Sequence, residues 1–313
     1  MVENYVLAQR QRKQFENSIA ADSGAKQILF GDLHVHKNFS YDAFIQNLPL
    51  LGGSGAHSPA DACDFARYCS SLDFWGSTEH AEDLTPYHWR ELRKSIKQCN
   101  AVADPKKPDV VAFMGWEWSQ AGSTPDTHYG HKNIILKDPV GPSTPNRPIA
   151  SVITGSGIEK PSQAGLALLS YRQDEPRYLD WAKYIYESVI AECAADLPAD
   201  VATADCREYA ATPKELFAKL DNWDQAALVI PHGTSWGIYT PPGSNWQKQL
   251  VAHDPDREKL IEIFPATVIP KNILITQRLC SMATASLFAR RRHHNTPPAV
   301  VALGKLFTTA ALL

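Results

Sequence analysis

The sequence predicts an α/β domain built on a largely parallel sheet. Three observations carry that expectation. Short apolar runs of strand length alternate along the chain with segments of helical period. Hydrophobic residues make up 44% of the 313, enough to bury a sizeable core. Histidines and carboxylates recur at the ends of the apolar runs, where ligands gather in parallel α/β folds.

Taken in order, residues 1–26 are polar and read as an N-terminal helical segment, with Asn17 suited to a helix start. The main domain spans 27–264. Its first strand is Gln27–Leu33. Ser58 then fits the start of a helix over Ala60–Ser71. Strand Asp73–Ser77, helix Tyr87–Asn100, strand Val110–Trp116 and strand Lys132–Leu136 follow. From Lys137 to Ala211 the strand pattern lapses, and "DPVGPSTPNRPIASVITGSG" is rich in Pro, Gly and Ser. That segment reads as an insertion of loops with a helix at Tyr178–Cys193, placed to cap a site. Helix Thr212–Leu220 carries Pro213 in its first turn, as helix starts favour. Strands Ala226–Ile230 and Leu260–Phe264 complete the pattern.

Composition excludes some classes of function. The net charge of -3 and the lack of a long basic run argue against a nucleic-acid partner. The Arg290–Arg292 cluster falls in a tail that is suspect for other reasons. No apolar run approaches the roughly 20 residues of a membrane span. The N-terminus lacks the apolar middle of a signal peptide, so the chain as written is placed in the cytoplasm; an export signal upstream of Met1 would make it periplasmic or secreted. The six cysteines show no CxxC spacing and read as free thiols.

The strand ends carry the chemistry. The first runs into Asp32-Leu33-His34-Val35-His36, the second into Thr78-Glu79-His80, and the third into Gly115-Trp116-Glu117-Trp118. A fourth starts beside His131, and a fifth runs into His232. Residues two apart on a strand share a side, so His34 and His36 can reach one ion together. Imidazoles with carboxylates suit Zn, Mn or Fe, and a carboxylate can bridge two ions. Each residue also has a plain structural explanation: Asp42 as a turn residue, Glu117 as a buried paired carboxylate. Those explanations must all hold together, which the metal reading does not require. His57, His88 and His253 lie in polar stretches and are assigned to the surface. Trp75, Trp116 and Trp118 are assigned to the core.

The motifs "FGDLHVHKNFSYDA", "DFWGSTEHAE", "FMGWEW", "HKNIIL" and "IPHG" resemble the PHP (polymerase and histidinol phosphatase) metallohydrolase superfamily, and its DUF3604 branch more narrowly. The resemblance runs from about Ile28 to Phe264. It implies a distorted (β/α)7 barrel, incomplete at its C-terminus, with two or three divalent metal ions (Zn, Mn or Fe) at the strand ends. It implies His34, His36, Asp42, His80, Glu117, His131 and His232 as the metal ligands, with His128 a nearby rival to His131. Glu79 stands where the family more often has Asp. The activity implied is hydrolysis of a small anionic phosphate or sulfate ester by a metal-activated water. Lys132 would then either neutralise the substrate or be an exposed lysine.

The pattern breaks near the end. The family carries an Asp-x-His late in the domain, and this chain has none after His232. The family continues its "LIEIF" strand with Ser-Gly-His-Gly-Asn-Ser-Glu-Glu. Here the same strand leads into an atypical tail, 265–313, without a single acidic residue, although 34 of the 313 residues are acidic. A change of reading frame accounts for this. With permitted codons, TTT CCG GCC ACG GTA ATT CCG AAG AAT encodes Phe264 to Asn272 and, read from its third base, begins the family motif. The same shift turns "LGKLFTTAALL" into a family-like Gly-Glu-Ile-Ile-Tyr-Asn-Arg-Cys. The alternative expectation is a catalytically inactive, truncated PHP-like fragment.

Overall fold

The computed structural model describes residues 29–46, 57–106, 108–138, 141, 144–151, 190–194, 197–199, 201, 206–237, 239–263 and 310–312, with single positions at 15, 179, 182, 183 and 187. Almost all of the expected N-terminal segment, most of the insertion and nearly the whole tail lie outside these residues; of the helix expected at 178–193, the end is corrected, since Ala191–Glu192 is a strand paired with Cys206 and Arg207.

Strand β1 (Gly31–Val35) leads into the short helix α1 (Tyr41–Gln46). Helix α2 (Pro59–Asp64) begins at Ser58, whose N–H donates to the Asp61 carboxylate at 2.8 Å. It continues as a π-helical turn over Phe65–Cys69, so the expected single helix at 60–71 changes winding part-way. Strand β2 (Phe74–Ser77) follows, then helix α3 (Pro86–Val102). Thr85 caps α3 by accepting from the His88 N–H, and Pro86 occupies the first position, where no N–H is needed. Trp89, Leu92, Ile96 and Cys99 repeat at helical spacing and are the buried face of α3. Each such side chain contributes roughly 1.5–3 kcal/mol by leaving water.

The run at 110–116 divides in two. Strand β3 (Val111–Phe113) pairs parallel to β2, which is parallel to β1. Strand β4 (Gly115–Gln120) instead pairs antiparallel with β5 (Gly130–Leu136), and β5 pairs antiparallel with β9 (Ala227–His232). Strands β6 (Ile149–Ala150), β7 (Ala191–Glu192) and β8 (Cys206–Tyr209) form a small parallel sheet in the order β6-β8-β7. Helix α4 (Pro213–Asn222) precedes β9, and helix α5 (Gln247–Val251) precedes β10 (Leu260–Glu262). Strand β11 (Ala310–Leu312) pairs antiparallel with β10.

The expected (β/α)7 barrel is therefore corrected. Among the described residues the strands form small sheets of mixed direction, with no closed barrel. Part of the reason lies in the connection from β4 to β5, residues 121–129. It is too short for the crossover of about a dozen or more residues that a parallel neighbour needs, and the chain turns back on itself. A parallel bridge between His80 and Glu117 carries the end of β2 onto β4.

Alternation along β4 separates core from site. Trp116 and Trp118 are fully buried, and their indole N–H groups donate to the Ile149 and Ala210 carbonyls at 2.9 and 2.8 Å. Trp75 is buried too, so all three tryptophans belong to the core. Glu117 and Ser119 point the other way. Gly130 opens β5 at φ +74, and a Cβ there would lie 2.8 Å from the His232 carbonyl oxygen. Only glycine fits both demands, which lets β5 and β9 bring His131 beside His232.

The free-thiol expectation is also corrected. Cys63 is bonded to Cys99 and Cys193 to Cys206; Cys69 is disulfide-bonded as well. None of these cysteines stands in a CxxC pair, so spacing along the chain does not reveal them. No helix among the described residues is long and apolar enough to cross a membrane.

Candidate metal centre

The end of β1 is held by buried polar contacts. The Lys37 N–H donates to both Glu79 carboxylate oxygens, at 3.1 and 2.9 Å. Its ammonium donates to the Val35 carbonyl and the Ser77 hydroxyl, and lies 4.7 Å above the Trp75 ring. The Ser40 hydroxyl donates to Glu79 at 2.7 Å and accepts from the His80 N–H at 2.8 Å. Glu79 thus ties the segment after His36 to the residue before His80. Its carboxylate is fully buried, and the extra methylene relative to Asp gives it this reach.

Glu117 sits at the middle of a ring of five histidines. Its Oε2 is 3.2 Å from His34 Nε2 and 2.8 Å from His36 Nε2. Its Oε1 is 2.5 Å from His131 Nδ1 and 3.4 Å from both His80 Nδ1 and His232 Nε2. Neighbouring rings stand 4.4 to 6.2 Å apart, from His34–His232 to His80–His131. Asp42 reaches His36 at 3.2 Å and His80 at 3.5 Å. All seven residues expected as ligands therefore converge.

Four groups have ligand atoms mutually close enough for one ion: His34, His36 and Glu117; His34, His232 and Glu262; His36, Asp42 and His80; and Glu117, His131 and His232. These His/Asp/Glu groups could hold a metal ion. They share members, so Glu117 belongs to two of them. The fit has a second sign in orphaned polar atoms. His36 Nε2 and Glu117 Oε2 are buried and only 2.8 Å apart, yet neither makes a hydrogen bond. Two ligand atoms facing a common cation have this relationship. Glu262 Oε1 and the whole Asn133 amide are likewise buried without a hydrogen-bond partner.

The charges are strongly coupled. Burial lowers the affinity of His34 for a proton, but Glu262 and Glu117 outweigh it and hold its pKa well above the ordinary 6.5. Burial also opposes the charged forms of His36 and His80, while Asp42 and Glu117 raise both. Glu117 would be pushed up by burial, yet the surrounding imidazoles, His80 and His232 foremost, hold it well below the ordinary carboxylate range. Asp42 is drawn down against the effect of burial by His36 and His80, and Glu262 by His34. His232 goes the other way, lowered by burial and by its charged neighbour His34.

Glu262 is a site residue that sequence reading missed. Its Oε2 lies 2.8 Å from His34 Nδ1, an arrangement that fixes the ring with Nε2 turned to Glu117. The available signal was a lone acid inside the apolar strand "LIEIF". Asn133, directly across from Glu117 and on the same side of β5 as His131, is the second omission. His128 is not in the cluster. Its Nε2 donates to the Gly233 carbonyl at 2.9 Å, and burial keeps its pKa below 6.5.

Lys132 is corrected. It alternates to the opposite side of β5 from His131, is fully buried, and donates to Gln249 at 2.5 Å with Glu258 at 3.1 Å. It is neither exposed nor at the cluster. His57, expected at the surface, is 4% exposed. His88 stacks on Phe39 and is lowered by burial to about 4, and His253 contacts Glu258 at 3.1 Å.

No family model matches this chain, and no curated protein or solved structure matches it either.

Proposed function

We propose that this chain is a metal-dependent hydrolase of phosphate or sulfate esters, related to the DUF3604 branch of the PHP superfamily. The observation that supports the reading most is Glu117 within contact distance of five imidazoles, flanked by Asp42 and Glu262. Such a concentration of nitrogen and oxygen ligands would suit two or three Zn, Mn or Fe ions, held by the five histidines with Asp42, Glu117 and Glu262. Bound there, such ions would lower the pKa of a water towards ~7 and would polarise a phosphoryl or sulfuryl oxygen.

The chain's own residues do the rest. Glu79 and Lys37 fix the two histidine-bearing loops from behind. Glu262 orients His34, and the Ser119 hydroxyl bonds both Glu117 and His80, at 3.0 and 2.5 Å. His34, Glu117, His131, His232 and Glu262 stand on strands, which hold ligands more firmly than loops. The substrate is a small anionic ester, with neither nucleic acid nor membrane as partner. The disulfides favour an oxidising compartment, periplasmic or extracellular, over the cytoplasm.

A second reading, a catalytically silent fragment that binds metal, is favoured by one feature. No Asp-x-His follows His232 in the written sequence. One experiment separates the two: measure metal content of the purified protein, then turnover of p-nitrophenyl phosphate and p-nitrophenyl sulfate before and after chelation and reconstitution. Metal-dependent turnover supports the hydrolase. Stoichiometric metal without turnover supports the silent fragment, and failure to bind metal defeats both.

A further inference from the structure

Asn133 is fully buried, and neither its amide oxygen nor its amide nitrogen has a hydrogen-bond partner. In a folded interior nearly every such group is paired, so an amide bare at both ends needs an explanation.

Strand register fixes the side it faces. Asn133 pairs with Glu117 on β4 and with Ile230 on β9, while His131, two residues earlier, pairs with Ser119 and His232. Directly paired residues of antiparallel strands share a face, and so do residues two apart. Asn133, Glu117, His131 and His232 therefore form one patch on one face of one sheet. Directly opposed Cβ atoms lie about 4.5–5.5 Å apart. The patch is a working contact surface, since His131 Nδ1 reaches Glu117 Oε1 on it at 2.5 Å. Two residues further along the same face, Ile135 packs on Gly76, where a Cβ would lie 3.0 Å from the Ile135 Cδ1. Ile230, across the other strand pair, is buried and apolar. With isoleucines on these two sides, the polar atoms beside the amide are those of the cluster.

Glu117, His131 and His232 each offer a ligand atom, all within 4.8 Å of one another, so they could hold one ion. Three donors are fewer than the roughly four to six that Zn, Mn or Fe takes. An ion beside the amide would satisfy its oxygen. The Glu117 carboxylate, across the strand pair, is an acceptor for its N–H. Water alone could satisfy the amide too, but metal binding would then not depend on it.

We propose that Asn133 is a metal ligand, its amide oxygen completing the set formed by Glu117, His131 and His232. The assignment rests on the metal centre of the hydrolase reading. It also explains the bare amide: the group destabilises the metal-free chain, and a bound ion offsets that.

The test compares the full chain with two variants, metal-free and loaded with Zn or Co(II). Asn133→Leu has nearly the same shape and no polar atom, so it removes the penalty of an unpaired buried group. Its metal-free form should melt at a higher temperature than the unaltered chain. Its Zn affinity, measured by competition with a chelator, should fall at least about tenfold. The d–d absorption of its Co(II) form should change, because the ion has lost an oxygen donor. Asn133→Asp keeps the oxygen. It should bind Zn at least as tightly as the unaltered chain, while its metal-free form melts lower for burying a second carboxylate beside Glu117. Unchanged Zn affinity and Co(II) absorption in Asn133→Leu would overturn the assignment and leave water as the partner of the amide. A lower metal-free melting temperature for Asn133→Leu would overturn it as well, since the amide would then be paired. Equal loss of Zn from both variants would trace the effect to the amide N–H and overturn the ligand role. Metal binding that follows these expectations without turnover of any ester would overturn the hydrolase reading alone. Failure of the unaltered chain to bind metal would overturn both.

Discussion

Asn133 lies directly across the β4–β5 pair from Glu117, and its buried amide has no hydrogen-bond partner while Glu117 meets five imidazoles. A polar group left unpaired in the interior costs roughly 1–3 kcal/mol. A metal ion held by the neighbouring cluster, with ordered water, would complement such a group. Glu117→Gln retains the shape and removes the charge that holds the ring together. Metal content should fall below one ion per chain, and any ester hydrolysis should drop more than 100-fold, since even partners of ligands are worth about 10–100-fold. Elemental analysis and steady-state kinetics read the two effects separately.

Glu262→Gln should be milder. The amide can still bond His34 Nδ1 but no longer favours its charged form or raises its basicity. Metal affinity should weaken about 10–100-fold, with near-normal stoichiometry at saturating metal. Loss of all metal at saturation would show that Glu262 is itself an indispensable ligand.

Much of this centre was legible in the sequence because its residues sit at the ends of short apolar runs. Two-residue periodicity placed His34 and His36 together, and the four other runs each delivered one member of the cluster. Direction was harder to read. Nothing in "VVAFMGWEW" marks Met114 as the point where parallel pairing gives way to antiparallel, although the short link to β5 contained that information. Lys132 was misread because a lysine suggests solvent, and its partners, Gln249 and Glu258, lie more than a hundred residues away. The disulfide Cys63–Cys99 likewise depends on α2 and α3 packing side by side, a tertiary fact.

That disulfide closes a loop with a sequence separation of 36. Replacing both cysteines by serine should lower stability by about 2–4 kcal/mol, largely by freeing the unfolded chain. Urea unfolding of the metal-free protein gives the figure. A loss under about 0.5 kcal/mol would mean that the pair is not bonded in solution.

Proton linkage gives a prediction of definite sign. In the metal-free protein, His34, His36 and His80 titrate above 6.5, so their stabilising contribution is full below that pH and is lost as pH rises through their raised values. Asp42, Glu117 and Glu262 titrate below 3.8 or 4.5, and their contribution is lost as pH falls through those lowered values. His232, lowered from 6.5, also opposes acid. The metal-free protein should be less stable at pH 8.5 than at pH 6. Metal must displace protons from the charged histidines, so Zn should raise Tm more at pH 8.5 than at pH 6. Calorimetry in buffers of different ionisation enthalpy should show proton release on Zn binding at pH 7. Proton uptake, or a larger Zn effect at pH 6, would contradict the charge arrangement.

Lys132 separates a structural role from a substrate role. Its ammonium is buried against Glu258, which also accepts from Gln249, His253 and the Asp254 N–H. Lys132→Met leaves Glu258 without its cation, and breaking a buried pair in this way costs about 3–5 kcal/mol. A second change, Glu258→Gln, should recover part of that loss, because no bare charge remains. Substrate affinity should survive in the double variant, since Lys132 faces away from His131. Chemical denaturation and KM measured on the same preparations test both halves: a large rise in KM without loss of stability would return Lys132 to the substrate.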